Sequence, residues 1–70
     1  MRDVYAYQIE VEGRVDEGDV NATSPRQVTV QRTDEIATLF TVRTDQAGLI
    51  GLLRHLHGRG EVLLSVAREG

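Results

Sequence analysis

Residues 44–66, TDQAGLIGLLRHLHGRGEVLLSV, restrict the possible folds of this chain more than any other segment. Asp45, or Thr44 before it, is a suitable N-cap, because its side-chain oxygen can accept from the free amides of a first helical turn. Glycines follow where such a helix would end, and residues 61–68, EVLLSVAR, alternate as a strand does. Between cap and glycines, four leucines share one stripe of the helix: Leu49, Leu52, Leu53 and Leu56. The segment therefore predicts one helix followed directly by one strand.

In three earlier runs, large apolar side chains alternate with mostly small or polar ones, a pattern that is typical of half-buried strands. They cover residues 4–11, 27–32 and 37–43. The residues TDEI between the second and third runs are short enough for a hairpin turn. Residues 12–26 contain two glycines, the only proline and no apolar period. They predict a long loop, with residues 13–25 the most mobile part of the chain.

The order of these elements predicts the sheet topology. A right-handed crossover through the helix makes the third and fourth strands parallel and leaves a slot between them, which the first strand fills antiparallel to both. We therefore expect one α+β domain over residues 1–70 with a ferredoxin-like split βαβ fold. Its four-stranded antiparallel sheet has the order 4-1-3-2, with one main helix on one face and a loop in place of the first helix. A short helix hidden in residues 14–24 is the alternative.

The alternation and the leucine stripe also predict which side chains meet between the sheet and the helix. The expected core consists of Tyr7, Ile9, Val28, Val30, Phe40, Val42, Leu49, Leu52, Leu53, Leu56, Val62, Leu64 and Val66. So small a core supplies only about 3–5 kcal/mol. The chain has no cysteine, so disulfides cannot add to it, and oligomerisation is the remaining common route to stability.

Composition excludes several classes of function. The net charge of −3, from 11 acidic and 8 basic residues, argues against nucleic-acid binding. No run approaches the length of a membrane span, and the N-terminus lacks the apolar block of a signal peptide. All the basic residues are arginine, a bias that we interpret as that of a GC-rich bacterial genome. We therefore expect a soluble protein of the bacterial cytoplasm.

Catalysis, metal binding and cofactor binding are not expected either. His55 and His57 are two positions apart on a helix and cannot face a common ion, because helical neighbours lie three or four apart. Asp16, Glu17 and Asp19 lack the spacing of a calcium loop. The serines have no base within reach in the sequence, and the absence of lysine excludes a phosphate-binding loop of the Lys-Ser or Lys-Thr type.

Two resemblances follow from residues 44–66. With YQIEV near the start, DQAGLIGLLRHLHGRGEVLLSV resembles the C-terminal signature of a family of small, uncharacterised bacterial proteins. That signature is Asp-Gln-Ala, an apolar helix rich in Gly-Leu-Leu, a glycine and Leu-Leu-Ser-Val, and it implies no biochemistry. The segment is also similar to ACT domains, whose ligand-binding turn reads Asp-x-x-Gly-Leu before a helix. Asp45, Gly48 and Leu49 match that turn.

The sequence thus predicts a non-enzymatic protein-interaction or accessory domain that forms a homodimer through the uncovered face of its sheet. Leu63, Ala6 and Leu39 are expected to form an apolar stripe across that face. The whole expected interface comprises Ala6, Gln8, Leu39, Thr41, Leu63, Ser65 and Ala67. The alternative, implied by the ACT resemblance, is a regulatory domain that binds a small ligand such as an amino acid at Asp45, Gln46, Gly48 and Leu49.

Overall fold

The computed structural model describes residues 3–69 and contains four strands and two helices within that range. In chain order, their bounds are β1 Tyr5–Glu12, α1 Glu17–Thr23, β2 Thr29–Thr33, β3 Ala37–Thr44, α2 Gln46–Gly58 and β4 Leu63–Arg68. No helix in this range is long and apolar enough to cross a membrane.

The strands form one antiparallel sheet in the order β2-β3-β1-β4. In this order β1 lies between β3 and β4, the central position that the sequence predicts. The register aligns Ile9 with Phe40 on one side and with Val66 on the other, and Phe40 with Val30. Asp34 closes the turn of the β2–β3 hairpin, where its side chain accepts from the amides of Ile36 and Ala37.

Helix α1 corrects the expectation that a loop replaces the first helix. Asp16 is its N-cap and accepts from the amide of Asp19 at 3.0 Å. Val15 precedes the cap and Val20 lies in the fourth helical position, the two positions of a hydrophobic staple, and both are buried. The segment that we expected to be mobile therefore contributes two side chains to the core.

A buried threonine attaches the connection between β1 and α1 to β3. The Thr38 hydroxyl donates to the Gly13 carbonyl at 2.8 Å and accepts from the Val15 amide at 3.0 Å. The Thr33 hydroxyl oxygen lies 2.7 Å from the Thr38 hydroxyl oxygen. These bonds satisfy backbone groups that the chain buries as it leaves the sheet.

Helix α2 begins after Asp45, which accepts from the Gly48 amide at 2.8 Å, so the predicted cap is confirmed. Its leucine stripe faces the sheet, with Leu49, Leu52 and Leu56 buried and Leu53 partly buried. A pair of histidines lies in its last turn, where positive charge suits the helix dipole.

The observed core differs from the expected one mainly at β4. Val62, Leu64 and Val66 are exposed by 52%, 48% and 43%, whereas we expected all three to be buried. The register between β1 and β4 shifts between Glu10 and Val11, so the alternation of β4 cannot run unbroken from Val62 to Val66. Val30 is only partly buried, and Val11, Val15 and Val20 complete the core instead.

Candidate functional site

Strand β4 is an edge of the sheet with solvent on both faces. Within residues 3–69 it pairs with β1 alone, and all six of its residues are exposed. Its side chains are largely apolar, including Leu63 and Val66. An exposed apolar edge strand is a template for pairing with another chain, and proteins commonly protect such edges.

The backbone of β4 presents free hydrogen-bonding groups at this edge. The backbone amide of Glu69 donates to the Ala6 carbonyl at 2.8 Å. Along an antiparallel strand, successive residues point their amide and carbonyl groups to opposite sides. Ala67 therefore points its amide and carbonyl toward β1, whereas Val66 and Arg68 point theirs away from it. Among the described residues, nothing bonds to the amides of these two outward-pointing residues.

The opposite edge, β2, is protected. Val30, which lies on this edge, donates its amide to a Glu17 carboxylate oxygen at 3.1 Å. Just before β2, Asn21 bonds both backbone groups of Val28, with its amide nitrogen 2.9 Å from the carbonyl and its oxygen 2.8 Å from the amide nitrogen. Side chains of α1 thus bond the backbone along this edge. The difference between the edges singles out β4.

The side of α2 that faces away from α1 is apolar. His55 lies on the α1 side of α2, because its Nε2 is 3.1 Å from the Thr23 hydroxyl. At 100° per residue, Leu53 and Ile50 lie on the other side of the buried stripe. Leu53 is partly buried and Ile50 is 45% exposed. Ile50 and Leu53 therefore give α2 an apolar side away from α1.

The uncovered face of the sheet holds six of the seven residues expected at the interface, all except Leu63. Leu63 is paired with Val11, whose side chain is in the core, so the register places Leu63 on the helix side of the sheet. The predicted stripe of Leu63, Ala6 and Leu39 is therefore not formed. Leu39 is flanked instead by Glu10 and Arg32, whose charged atoms lie 3.8 Å apart.

Polar side chains also bridge the rest of this face. Gln8 donates to Glu69 at 2.6 Å, and Gln31 donates to Thr41 at 3.2 Å. Ala67 extends the row of Gln8 and Thr41 to the exposed strand β4. The small residues of the predicted interface thus lie toward the β4 edge, whereas the middle of the face is polar.

The residues expected to bind a ligand divide into two groups. Asp45 and Gln46 line a cleft of about 630 Å³ at the start of α2. Gly48 and Leu49 are buried and are not among the residues that line the cleft, and the Gly48 amide donates to the Asp45 carboxylate. The remaining walls of the cleft are Asp3, Tyr5, Tyr7, Ala47 and Arg68.

Arg68 connects this cleft to the β4 edge. Its guanidinium carbon lies 4.4 Å from the centre of the Tyr5 ring, a cation–π arrangement. Tyr5 and Tyr7 are packed edge to face, with 6.4 Å between ring centres. The aromatic pair therefore supports the side chain of the last residue of β4.

Asp34, in the hairpin turn, has a clearly shifted pKa. Hydrogen bonds from the backbone amides of Ala37 and Ile36 hold the pKa of Asp34 below its ordinary value of 3.8. This carboxylate is fully exposed and closes a turn. Its shift therefore has a structural explanation.

The predicted order 4-1-3-2 places β4 at an edge of the sheet, but alternation assigned one of its faces to the core, so the exposure of both faces was not predicted. Two signals in the sequence could have indicated it. Leu63 and Leu64 are consecutive apolar residues, which break alternation and suit a bulge. The segment from Glu61 to Glu69 also lacks the lysines and prolines that commonly protect an edge.

Comparison with known proteins gives a family but no activity. A family model described as "Domain of unknown function (DUF8691)" matches residues 6–67, which include both helices and nearly all of the sheet. No curated protein and no solved structure matches the chain. Since the family model spans well over half of the sequence, this chain belongs to the DUF8691 family.

Proposed function

We propose that this chain is a small, non-enzymatic protein-interaction domain that self-associates through the free edge of β4. The observation that carries the proposal is the amide pair of Val66 and Arg68, which points out of an apolar edge strand with no bond to any described residue. Such an edge recognises an extended strand by backbone hydrogen bonds and by contacts of alternate side chains.

The fold supports this role. Read from β4, the strand order is 4-1-3-2, and the order of elements is βαββαβ. We propose that this is a complete ferredoxin-like domain, with α1 as its first helix. Because side chains of α1 bond the backbone of Val28 and Val30 at the β2 edge, β4 is the edge better suited to pair with an added strand. A bacterial setting remains part of the proposal because the chain uses arginine and no lysine, and the cytoplasm is the compartment that we propose for it.

Sedimentation equilibrium tests self-association at this edge. We expect the parent chain to be a dimer at high micromolar concentration. Val66→Lys should be monomeric, because it places a charge at the edge without entering the buried core. Ile36→Lys is the matched control, since Ile36 is also an exposed apolar residue, at 79%, but lies in the β2–β3 turn. A monomeric parent, or a Val66→Lys variant that keeps the mass of a dimeric parent, would contradict the proposal.

A second candidate function is binding of a small ligand, and the cleft beside Asp45 favours it. The cleft combines an aromatic pair with groups of both charges, including Arg68, which suits a zwitterion such as an amino acid. A ligand at 100 times its Kd should stabilise the domain by about 2.7 kcal/mol. Thermal unfolding with a panel of amino acids, repeated with Gln46→Ala, measures this. No shift with any amino acid would exclude the amino-acid-binding form of this candidate.

A further inference from the structure

We infer that the partner at the β4 edge is a second copy of this chain, paired antiparallel to β4 about a two-fold axis at Ala67. This inference rests on the proposed function, self-association at β4, and it adds the register in which the two copies pair. The first argument is the backbone geometry of the strand.

A two-fold axis between two copies of one strand must pass through a residue that faces its own equivalent. In an antiparallel pair, two opposed residues point their backbone groups either both toward each other or both away from each other. Neighbouring residues of one strand point in opposite directions, so the axis cannot lie midway between two consecutive residues. An axis at Ala67 lets Val66 of each copy exchange both backbone bonds with Arg68 of the other. An axis at Val66 would instead bring Arg68 opposite Leu64, where the register with β1 shifts. The axis at Ala67 therefore uses both outward-pointing residues of the regular part of β4.

The side chains fit this register. Ala67 faces Ala67 of the second copy at a position where the two Cα atoms approach to about 4.5 Å, and a methyl group suits so close a pair. On the helix side, Val66 lies against the aliphatic stem of the second copy's Arg68, whose charged end is stacked on Tyr5. Glu69 lies opposite a serine, Ser65 of the second copy. No two like charges are directly opposed.

The surface of this chain is large enough for such an interface. A stable interface buries about 800 Å² of each partner, which is less than a fifth of the 4516 Å² that this chain exposes. Strand pairing alone is a small contact, and exposed apolar side chains such as Leu63, Leu64 and Val66 add to it. The axis at Ala67 is perpendicular to the sheet, so both α2 helices lie on the same side of the joined sheet. Ile50, which is exposed on α2, is then on the same side of the joined sheet as Ile50 of the second copy.

Cysteine cross-linking tests the register, because the chain has no cysteine of its own. We expect Ala67→Cys to form disulfide-linked dimers in a glutathione redox buffer, since its Cα atoms are within the range of a disulfide. Ser65→Cys is the matched control on the same strand and face. In this register its two copies lie four positions apart, about 13 Å along the strand, so its yield should be lower by about tenfold.

The outcomes separate the inference from the proposed function. A parent that is monomeric in sedimentation overturns both. Suppose that the parent is a dimer, that Val66→Lys dissociates it, and that Ser65→Cys forms the disulfide in the same yield as Ala67→Cys. The register is then wrong, but the conclusion that the dimer forms at the β4 edge stands. Reduced Ala67→Cys must keep the parent's mass. If it does and still fails to form the disulfide, the axis at Ala67 is likewise overturned.

Discussion

Adding a single methyl group at Gly48 should destabilise the domain, although alanine is the better helix former. Gly48 is buried in the first turn of α2. A Cβ atom there would collide with the Thr44 hydroxyl oxygen and lie 2.7 Å from Arg26 Nε. Thr44 is itself buried, and its hydroxyl accepts from Arg26 Nε at 3.3 Å. The methyl group therefore has no free space, and the group that it displaces is held by a hydrogen bond.

The size of the effect follows from three contributions. Overpacking a buried site costs about 1–3 kcal/mol, and the loss of the Arg26–Thr44 hydrogen bond costs about 1 kcal/mol. Replacing glycine by alanine within a helix stabilises the helix by up to about 1 kcal/mol. We expect Gly48→Ala to lower the free energy of unfolding by about 1–3 kcal/mol, and Tm by about 4–8 °C for each kcal/mol.

Gly51→Ala is the matched control on the same helix. Apart from its chain neighbours and the backbone of its own helix turns, no described atom lies within 4 Å of a Cβ at Gly51, so only the gain in helix propensity remains. Stability should rise by about 0.5–1 kcal/mol. Urea unfolding followed by circular dichroism measures both variants, at one protein concentration because association would shift the midpoint. If Gly48→Ala is as stable as Gly51→Ala, the close packing between α2, Thr44 and Arg26 is refuted.

Three further predictions concern the rest of the fold. Val20→Ala should reduce the free energy of unfolding by about 1–3 kcal/mol, because α1 contributes to the core; an unchanged urea midpoint would show that it does not. Thr38→Val should cost about 1–3 kcal/mol by leaving buried backbone groups unpaired, whereas Thr41→Val on the sheet's uncovered face should change stability by less than about 0.5 kcal/mol; equal urea midpoints for the two variants would refute this. The Asp34 carboxylate, whose folded pKa is lowered, stabilises the fold above its ordinary pKa of 3.8, and this contribution is lost as the pH falls below that value. The difference in urea midpoint between the parent and Asp34→Ala should therefore shrink in acid; a constant difference would argue against it.

The strands and helix α2 could be predicted because their signals are local. A cap at Asp45, a leucine stripe and alternating runs are each visible within about ten residues, and the structure places all five elements within two residues of the expected bounds. The central position of β1 followed from the handedness of the crossover through α2. The strands and helix α2 are therefore recognisable from the local pattern of apolar and polar residues.

Helix α1 and the exposure of β4 depend on tertiary structure. The helix is only seven residues long, too short to show a period. Its support comes from Val28 and Val30, whose backbones bond Asn21 and Glu17. The face that each β4 residue presents depends on where its register with β1 shifts, and alternation cannot reveal that position.

The candidate site illustrates the same limit. Sequence reasoning placed Ser65 and Ala67 at an interface, and the structure leaves both exposed on β4. It could not show that α1 protects one edge of the sheet while the other stays free. That difference arises from hydrogen bonds between residues distant in the sequence.

Amide hydrogen exchange along β4 tests most directly that this free edge is where two chains meet. Ser65 and Ala67 point their amides toward β1 and should exchange slowly at every protein concentration. Val66 and Arg68 point theirs outward, so they should exchange slowly in the dimer and fast on dilution to the monomer. This alternating, concentration-dependent pattern is the predicted result. If the outward amides exchange fast even where sedimentation shows a dimer, the two chains meet elsewhere and the account of β4 is wrong.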